Sequence, residues 1–182
     1  MNIVFYLAGP TVAASNGMNE GRIALNPRGL FKRSSIGSSL TPVEVEVERG
    51  RMQFFADVLG ETDPIYLEKE AALAAGYHDI VALPSFFTVL EAAANKERSR
   101  RGDLGSSQLI GSDYRYLLHG IEEYQYSGLI HAGDVLTLTT TVVDFYDKKA
   151  GAMEFAVLRS VATHPVRGEL VCATRTLIHR LP

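Results

Sequence analysis

One stretch constrains the fold more than any other. Ser85 to Asn95 contains Phe86, Phe87, Val89, Leu90, Ala92, Ala93 and Ala94, with Glu91 as its only charge. These apolar residues fall on nearly every face of the helix their spacing predicts, and a helix apolar all round is a buried one. Pro84 precedes it, and Lys96 to Gly102 reads as a charged, polar exit. The remainder of the chain is strand-like. Candidate strands are His119 to Tyr126, Val135 to Val143, Met153 to Thr163 and Glu169 to His179. Turn signals separate them at Ala132-Gly133-Asp134, Lys148 to Gly151 and Pro165 to Gly168. Connections this short call for antiparallel pairing. A single buried helix followed by four such strands predicts an α+β domain in which the sheet curls around the helix. No repeat and no second core are visible.

The region before the helix supplies smaller elements. Val43, Val45 and Val47 alternate with Glu44, Glu46 and Glu48, the period of a half-buried strand. Met52, Phe55, Ala56 and Leu59 then fall at helical spacing until Gly60. Asp63-Pro64 marks a turn. Leu67 to Ala75, ending at Gly76, predicts a second short helix.

Composition excludes several classes. The 182 residues are 46% hydrophobic and 21% charged, with a net charge of -3, which is ordinary for a globular domain. No basic cluster suggests nucleic-acid binding. The single cysteine, Cys172, leaves no internal disulfide, and a reducing cytoplasm is expected. No Cys/His spacing suits zinc, and no metal is expected.

The first residues are read separately. Met1 to Ala14 is largely apolar and ends in small residues, faintly like a secretory signal, but no basic residue precedes the run and Pro10 interrupts it. The run is far shorter than the roughly 20 residues of a membrane helix. Met18 is an alternative start, with the residues before it a gene-model artefact. Residues 19–41, rich in Gly, Ser, Asn and Pro, read as a loosely held arm. The expected organisation is an arm over 1–41 and one domain over 42–182.

The stretch from Val45 to Phe87, VEVERGRMQFFADVLGETDPIYLEKEAALAAGYHDIVALPSFF, resembles the N-terminal dehydratase domains of the MaoC-like family. His119-Gly120, Tyr124-x-Tyr126, Ala132-Gly133-Asp134-x-Leu136 and Gly168-Glu169-Leu170-Val171 continue the resemblance in order, over roughly residues 43 to 180. The resemblance implies a hot-dog fold and pairing of two hot dogs, as a homodimer or a heterodimer. It implies an acyl chain on coenzyme A or acyl carrier protein as substrate, and no cofactor.

The R-specific enoyl-thioester hydratases of that family carry Gly-Asp-x-Asn-Pro-x-His. Water adds across a double bond conjugated to a thioester, and a carboxylate and an imidazole can hold that water and move its protons. The matching segment here is Gly60-Glu61-Thr62-Asp63-Pro64-Ile65-Tyr66. Glu61 stands for Asp, Asp63 for Asn and Tyr66 for His. A misplacement of about 1 Å can cost about a hundredfold in rate. A phenol with an ordinary pKa of about 10 is a poor base at neutral pH. Glu61, Asp63 and Tyr66 are the candidate catalytic residues, and an inactive half of a pair is the favoured account of the change.

Ser85 and Phe86 are the candidate substrate-binding residues, their N–H groups aimed at a thioester carbonyl; helix capping by Ser85 is the competing account. Lys96, Arg98, Arg100 and Arg101 suit the phosphates of coenzyme A or an acidic carrier, against a solvated loop. His119 and Cys172 read as structural. Tyr124 and Tyr126 share a strand face and suit an acyl tunnel or a dimer seam. The expected function is a hydratase or dehydratase subunit paired with a catalytic hot dog. The alternatives are a self-sufficient hydratase using Glu61 with Tyr66 or Asp63, and a hot-dog thioesterase.

Overall fold

The computed structural model of the chain describes residues 2–6 and 29–182. Among these residues six strands form one antiparallel sheet in the order β1-β3-β6-β5-β4-β2. They are β1 (Asn2–Tyr6), β2 (Val43–Glu46), β3 (Leu117–Tyr126), β4 (Val135–Lys148), β5 (Met153–His164) and β6 (Gly168–Arg180). The helices are α1 (Arg49–Val58), α2 (Lys69–Ala74), α3 (Phe87–Arg101) and α4 (Ser106–Ile110). The four strands expected from the C-terminal half form the middle of the sheet, each somewhat longer than its apolar pattern indicates.

The buried helix is the axis of the fold. Phe87, Leu90 and Ala94 of α3 join Tyr124, Leu136, Leu138, Ala162, Val171 and Ala173 of the sheet in one apolar cluster. Burying a phenylalanine such as Phe87 contributes roughly 2–3 kcal/mol relative to leaving it in water. In β2 the burial alternates, Val43 and Val45 inward and Glu44 and Glu46 outward, as a period of two requires. This is the hot-dog arrangement, one long helix held in the curl of an antiparallel sheet.

The helix outruns the expectation. Lys96 to Arg101 is not an irregular exit but the last turns of α3, which ends at Gly102 with φ +81°. Arg98 is almost fully buried and donates from Nε to Thr41 O (2.8 Å) and from Nη2 to Leu138 O (2.9 Å). Arg100 and Arg101 pair with Glu97 along the helix. The charge run hides a buried anchor, because a guanidinium can reach carbonyls that an apolar side chain cannot satisfy.

The core has two parts rather than one. Phe31, Leu40, Leu109 and Ile110 pack with Val142, Phe145, Ala156 and Leu158 in a second cluster. A polar belt separates the two on the same sheet face. Thr140 lies between Leu138 and Val142 on β4, and Ser160 between Leu158 and Ala162 on β5; their hydroxyls bond at 3.0 Å. On the neighbouring strands Arg175 of β6 pairs with Glu122 of β3, and it also meets Glu91 of α3.

The expectation of a loose arm fails over its described part. Leu30 N–H and Phe31 N–H donate to Glu154 Oε1 at 2.6 and 2.9 Å, and Phe31 stacks on His179 with ring centroids 3.8 Å apart. Gly37 N–H and Leu40 N–H donate to Val142 O and Thr140 O of β4. Residues 29–41 are thus a strap over the second cluster, held by backbone bonds that composition does not reveal. Asn2–Tyr6 is an edge strand against Ile121–Gln125. The signal-like run and the alternative start at Met18 otherwise fall on residues outside the described ones. No helix among the described residues is long and apolar enough to cross a membrane.

Candidate functional site

The segment that carries the candidate catalytic residues Glu61, Asp63 and Tyr66 forms the link between α1 and α2. Gly60, at φ +70°, ends α1, and Glu61 N–H donates back to Ala56 O. The carboxylate of Glu61 then folds onto its own turn. Its Oε1 accepts from Thr62 N–H (2.8 Å) and Asp63 N–H (2.9 Å). Asp63 caps the 3₁₀ turn Pro64–Tyr66 by accepting from Ile65 N–H at 3.1 Å. Tyr66 is half-buried, and its phenol is pushed above its ordinary pKa by burial and by the charges of Glu61 and Asp63. Glu61, Asp63 and Tyr66 therefore lie in one turn, with one oxygen of each carboxylate engaged in shaping it.

A neighbouring run ties this turn to the start of α3. Val81 N–H donates to Ile65 O, Ala82 N–H to Ile130 O and Ala132 N–H to Ile80 O. Asp79 anchors the run by taking both Arg49 nitrogens at 2.5 and 2.6 Å, with Lys69 at 3.5 Å. The hydrogen bond from Arg49 holds the Asp79 carboxyl down at about 2. Phe55 of α1 packs edge-on against Phe86, ring centroids 5.6 Å apart, so both candidate segments flank α1.

At the helix start the two candidate amides differ. Phe86 N–H donates to Leu83 O at 2.8 Å and is engaged within the 3₁₀ turn Pro84–Phe86, while its ring is buried in the core. Ser85 N–H has no acceptor among the described residues. Neither helix start has a side-chain cap bond, so capping by Ser85 is not what places that residue. The Ser85 carbonyl instead accepts from the Thr88 hydroxyl at 2.8 Å. Of the proposed pair, one amide is left to face a ligand, as the first turn of a helix allows.

The sequence does not reveal a link one residue earlier. The Tyr126 hydroxyl donates to Pro84 O at 2.5 Å. Beside it lies an apolar cavity of about 220 Å³ lined by Ala82, Pro84, Tyr126, Ser127, Leu129 and Ile130. Tyr124 packs edge-on to Phe87, centroids 6.0 Å apart, deeper in the core. Two tyrosines at alternate positions signal a shared face; their separate tasks show only in three dimensions. His119 is bound to Glu122 at 3.1 Å, and Cys172 is buried in β6, where Arg159 Nε donates to its sulfur at 3.0 Å. Among the described residues no group of three or more His, Cys, Asp or Glu is placed to hold a metal ion.

Fold and site together define a hot-dog protein of the dehydratase type. The chain belongs to the FAS1-like dehydratase domain family, whose pattern matches residues 34–174. It is 35% identical over 112 residues to a UPF0336 protein of Streptomyces avermitilis, covering 60% of this chain and 70% of that one. It is 34% identical over 151 residues to a UPF0336 protein of Saccharopolyspora erythraea, covering 81% and 90%.

Solved structures share the fold at low identity. The HadBC (3R-hydroxyacyl-ACP dehydratase) complex of Mycobacterium tuberculosis matches with a TM-score of 0.63 and 20% identity, over 79% of this chain and 96% of that one. A MaoC-like dehydratase matches with a TM-score of 0.66 and 19% identity, over 82% of this chain and 43% of that one. The ChsH1-ChsH2 complex of Mycobacterium tuberculosis matches with a TM-score of 0.59 and 16% identity, over 82% and 92%.

Proposed function

We propose that this chain is the substrate-holding subunit of an acyl-thioester hydratase or dehydratase. It pairs with a second hot dog that carries the intact Asp and His. The reaction of the pair is R-specific hydration of an enoyl thioester, or its reverse, on coenzyme A or acyl carrier protein. The observation that carries this reading is the state of the Glu61 turn. Its Oε1 accepts two amides of its own backbone, and the group at the position where the resemblance expects histidine is a phenol held protonated. Neither is set up to take a proton from water at neutral pH. What remains is the means of binding: Ser85 N–H at the helix start and the apolar cavity beside Pro84. Two similar folds, HadBC and ChsH1-ChsH2, are complexes by name, which fits a paired subunit.

A self-sufficient hydratase, with Glu61 as base and Tyr66 or Asp63 orienting the water, is the second reading, favoured by the presence of all three residues in one turn. The deciding assay follows loss of the enoyl absorbance of crotonyl-coenzyme A, with the purified chain, with Glu61→Gln, and with an added intact hot-dog partner. The subunit reading expects no turnover alone and turnover with the partner, unchanged by Glu61→Gln. Turnover by the isolated chain that Glu61→Gln abolishes would replace it with the second reading.

A further inference from the structure

We infer that Tyr126 is a positioning residue for thioester binding: by holding the Pro84 carbonyl it aims the Ser85 N–H at the thioester oxygen. This rests on the acyl-thioester reading above and adds a residue to it.

The turn that carries Ser85 runs directly into α3, and Phe87 N–H donates to the Ser85 carbonyl. Pro84 has no N–H, so its carbonyl is its only backbone hydrogen-bonding group. Phe86 N–H closes the 3₁₀ turn onto Leu83 O, and the Ser85 carbonyl is taken by Thr88. The Pro84–Ser85 peptide plane contains both the Pro84 carbonyl and the Ser85 N–H, so a bond to that carbonyl bears on where the N–H points. A peptide unit is planar, so fixing one end fixes the other, with C=O and N–H pointing in opposite directions. Tyr126 Oη lies 2.5 Å from Pro84 O. A carbonyl only accepts, so the tyrosine donates. Burial, with the charge of Glu122 in second place, raises the phenol above its ordinary pKa and keeps that proton in place over the working range.

Tyr126 is itself a rigid support. It is the last residue of β3, it pairs in register with Val171 of β6, and its ring packs against the main core cluster. The same ring is a wall of the apolar cavity beside Pro84. The Ser85 N–H has no acceptor among the described residues, as a donor kept for a ligand should.

The test uses two ligands that differ at the carbonyl. Butyryl-coenzyme A has the thioester oxygen; S-butyl-coenzyme A, a thioether of the same length, does not. The wild-type chain is expected to bind the thioester about tenfold more tightly, the value of one well-placed hydrogen bond. Tyr126→Phe is expected to bind the two alike. In the wild type the Ser85 amide proton should move downfield with the thioester and not with the thioether, which checks the donor without any substitution. A thioester preference that survives in Tyr126→Phe, or a Ser85 amide that does not respond to the thioester, overturns the inference and leaves the acyl-thioester reading standing. Absence of binding of either ligand by the wild type overturns that reading and the inference with it.

Discussion

Arg175 of β6 stands between Glu91 of α3 and Glu122 of β3, and so ties the central helix to the sheet through a buried ion network. His119 adds a contact to Glu122 at 3.1 Å. Burial, outweighing the attraction of Arg175, raises the pKa of Glu91. Removing the shared cation leaves Glu91 without its buried cation and Glu122 with His119 alone. Arg175→Met is expected to cost about 3–5 kcal/mol, read as a lower urea midpoint at pH 7. A loss below about 1 kcal/mol would mean that the network is not what holds α3.

Asp79 gives a pH dependence of definite sign. Its folded pKa, held by Arg49 at about 2, lies below the ordinary 3.8. A depressed carboxyl contributes stability that is fully present above its unfolded pKa and is lost as pH falls toward its folded one. The difference in melting temperature between wild type and Asp79→Asn is therefore expected to be constant from pH 7 to pH 5. It should shrink between about pH 4 and pH 2. A difference that grows on acidification would contradict the assignment.

The candidate turn can be given the residues of the R-specific hydratases it resembles. Glu61→Asp, Asp63→Asn and Tyr66→His together restore the carboxylate and imidazole that hydration calls for. The triple variant is expected to give the isolated chain a crotonyl-coenzyme A turnover that the wild-type chain alone does not show. Unchanged turnover would show that the Ser85 side of the site, rather than the turn, limits the chain.

The strap over residues 29–41 has one principal fastening. Glu154, wholly buried, takes Leu30 N–H, Phe31 N–H and the Nδ1 of His179 at 2.8 Å. Glu154→Leu removes the acceptor and leaves buried donors unpaired, at about 1–3 kcal/mol each. The expected result in hydrogen exchange is faster exchange at Leu30 to Gly37, with protection of β5 and β6 retained. Equal acceleration across the sheet would show that the strap and the sheet open as one unit.

How much of this was legible beforehand depended on whether the deciding interaction was local. Phe87, Leu90 and Ala94 announced the buried helix because apolar spacing is a property of neighbouring residues, and the Val43–Val45 alternation announced β2 for the same reason. Arg98 did not, since its partners, Thr41 and Leu138, lie 57 and 40 residues away. Phe31 and Leu40 were unreadable as core because the surface that covers them comes from β4 and β5. At the site, the turn signal Asp63-Pro64 and the special place of Ser85 were visible. That Phe86 N–H is already engaged and that Tyr126 reaches Pro84 were not, because both are matters of direction rather than residue type.

The polar belt across the inner sheet face has a consequence for how the chain finds its final arrangement. Apolar contacts are nearly interchangeable, and a greasy rod on a greasy trough can slide or roll at little cost. Glu91 and Arg98 lie on α3 about 10 Å apart along its axis, one fastened to Arg175 and the other to Leu138 and Thr41. Two fixed points on a rod leave it no freedom to shift lengthwise or to turn. A collapsed chain with the helix one turn out of place would strand a carboxylate and a guanidinium in oil, so the belt works as a lock-and-key check on alignment.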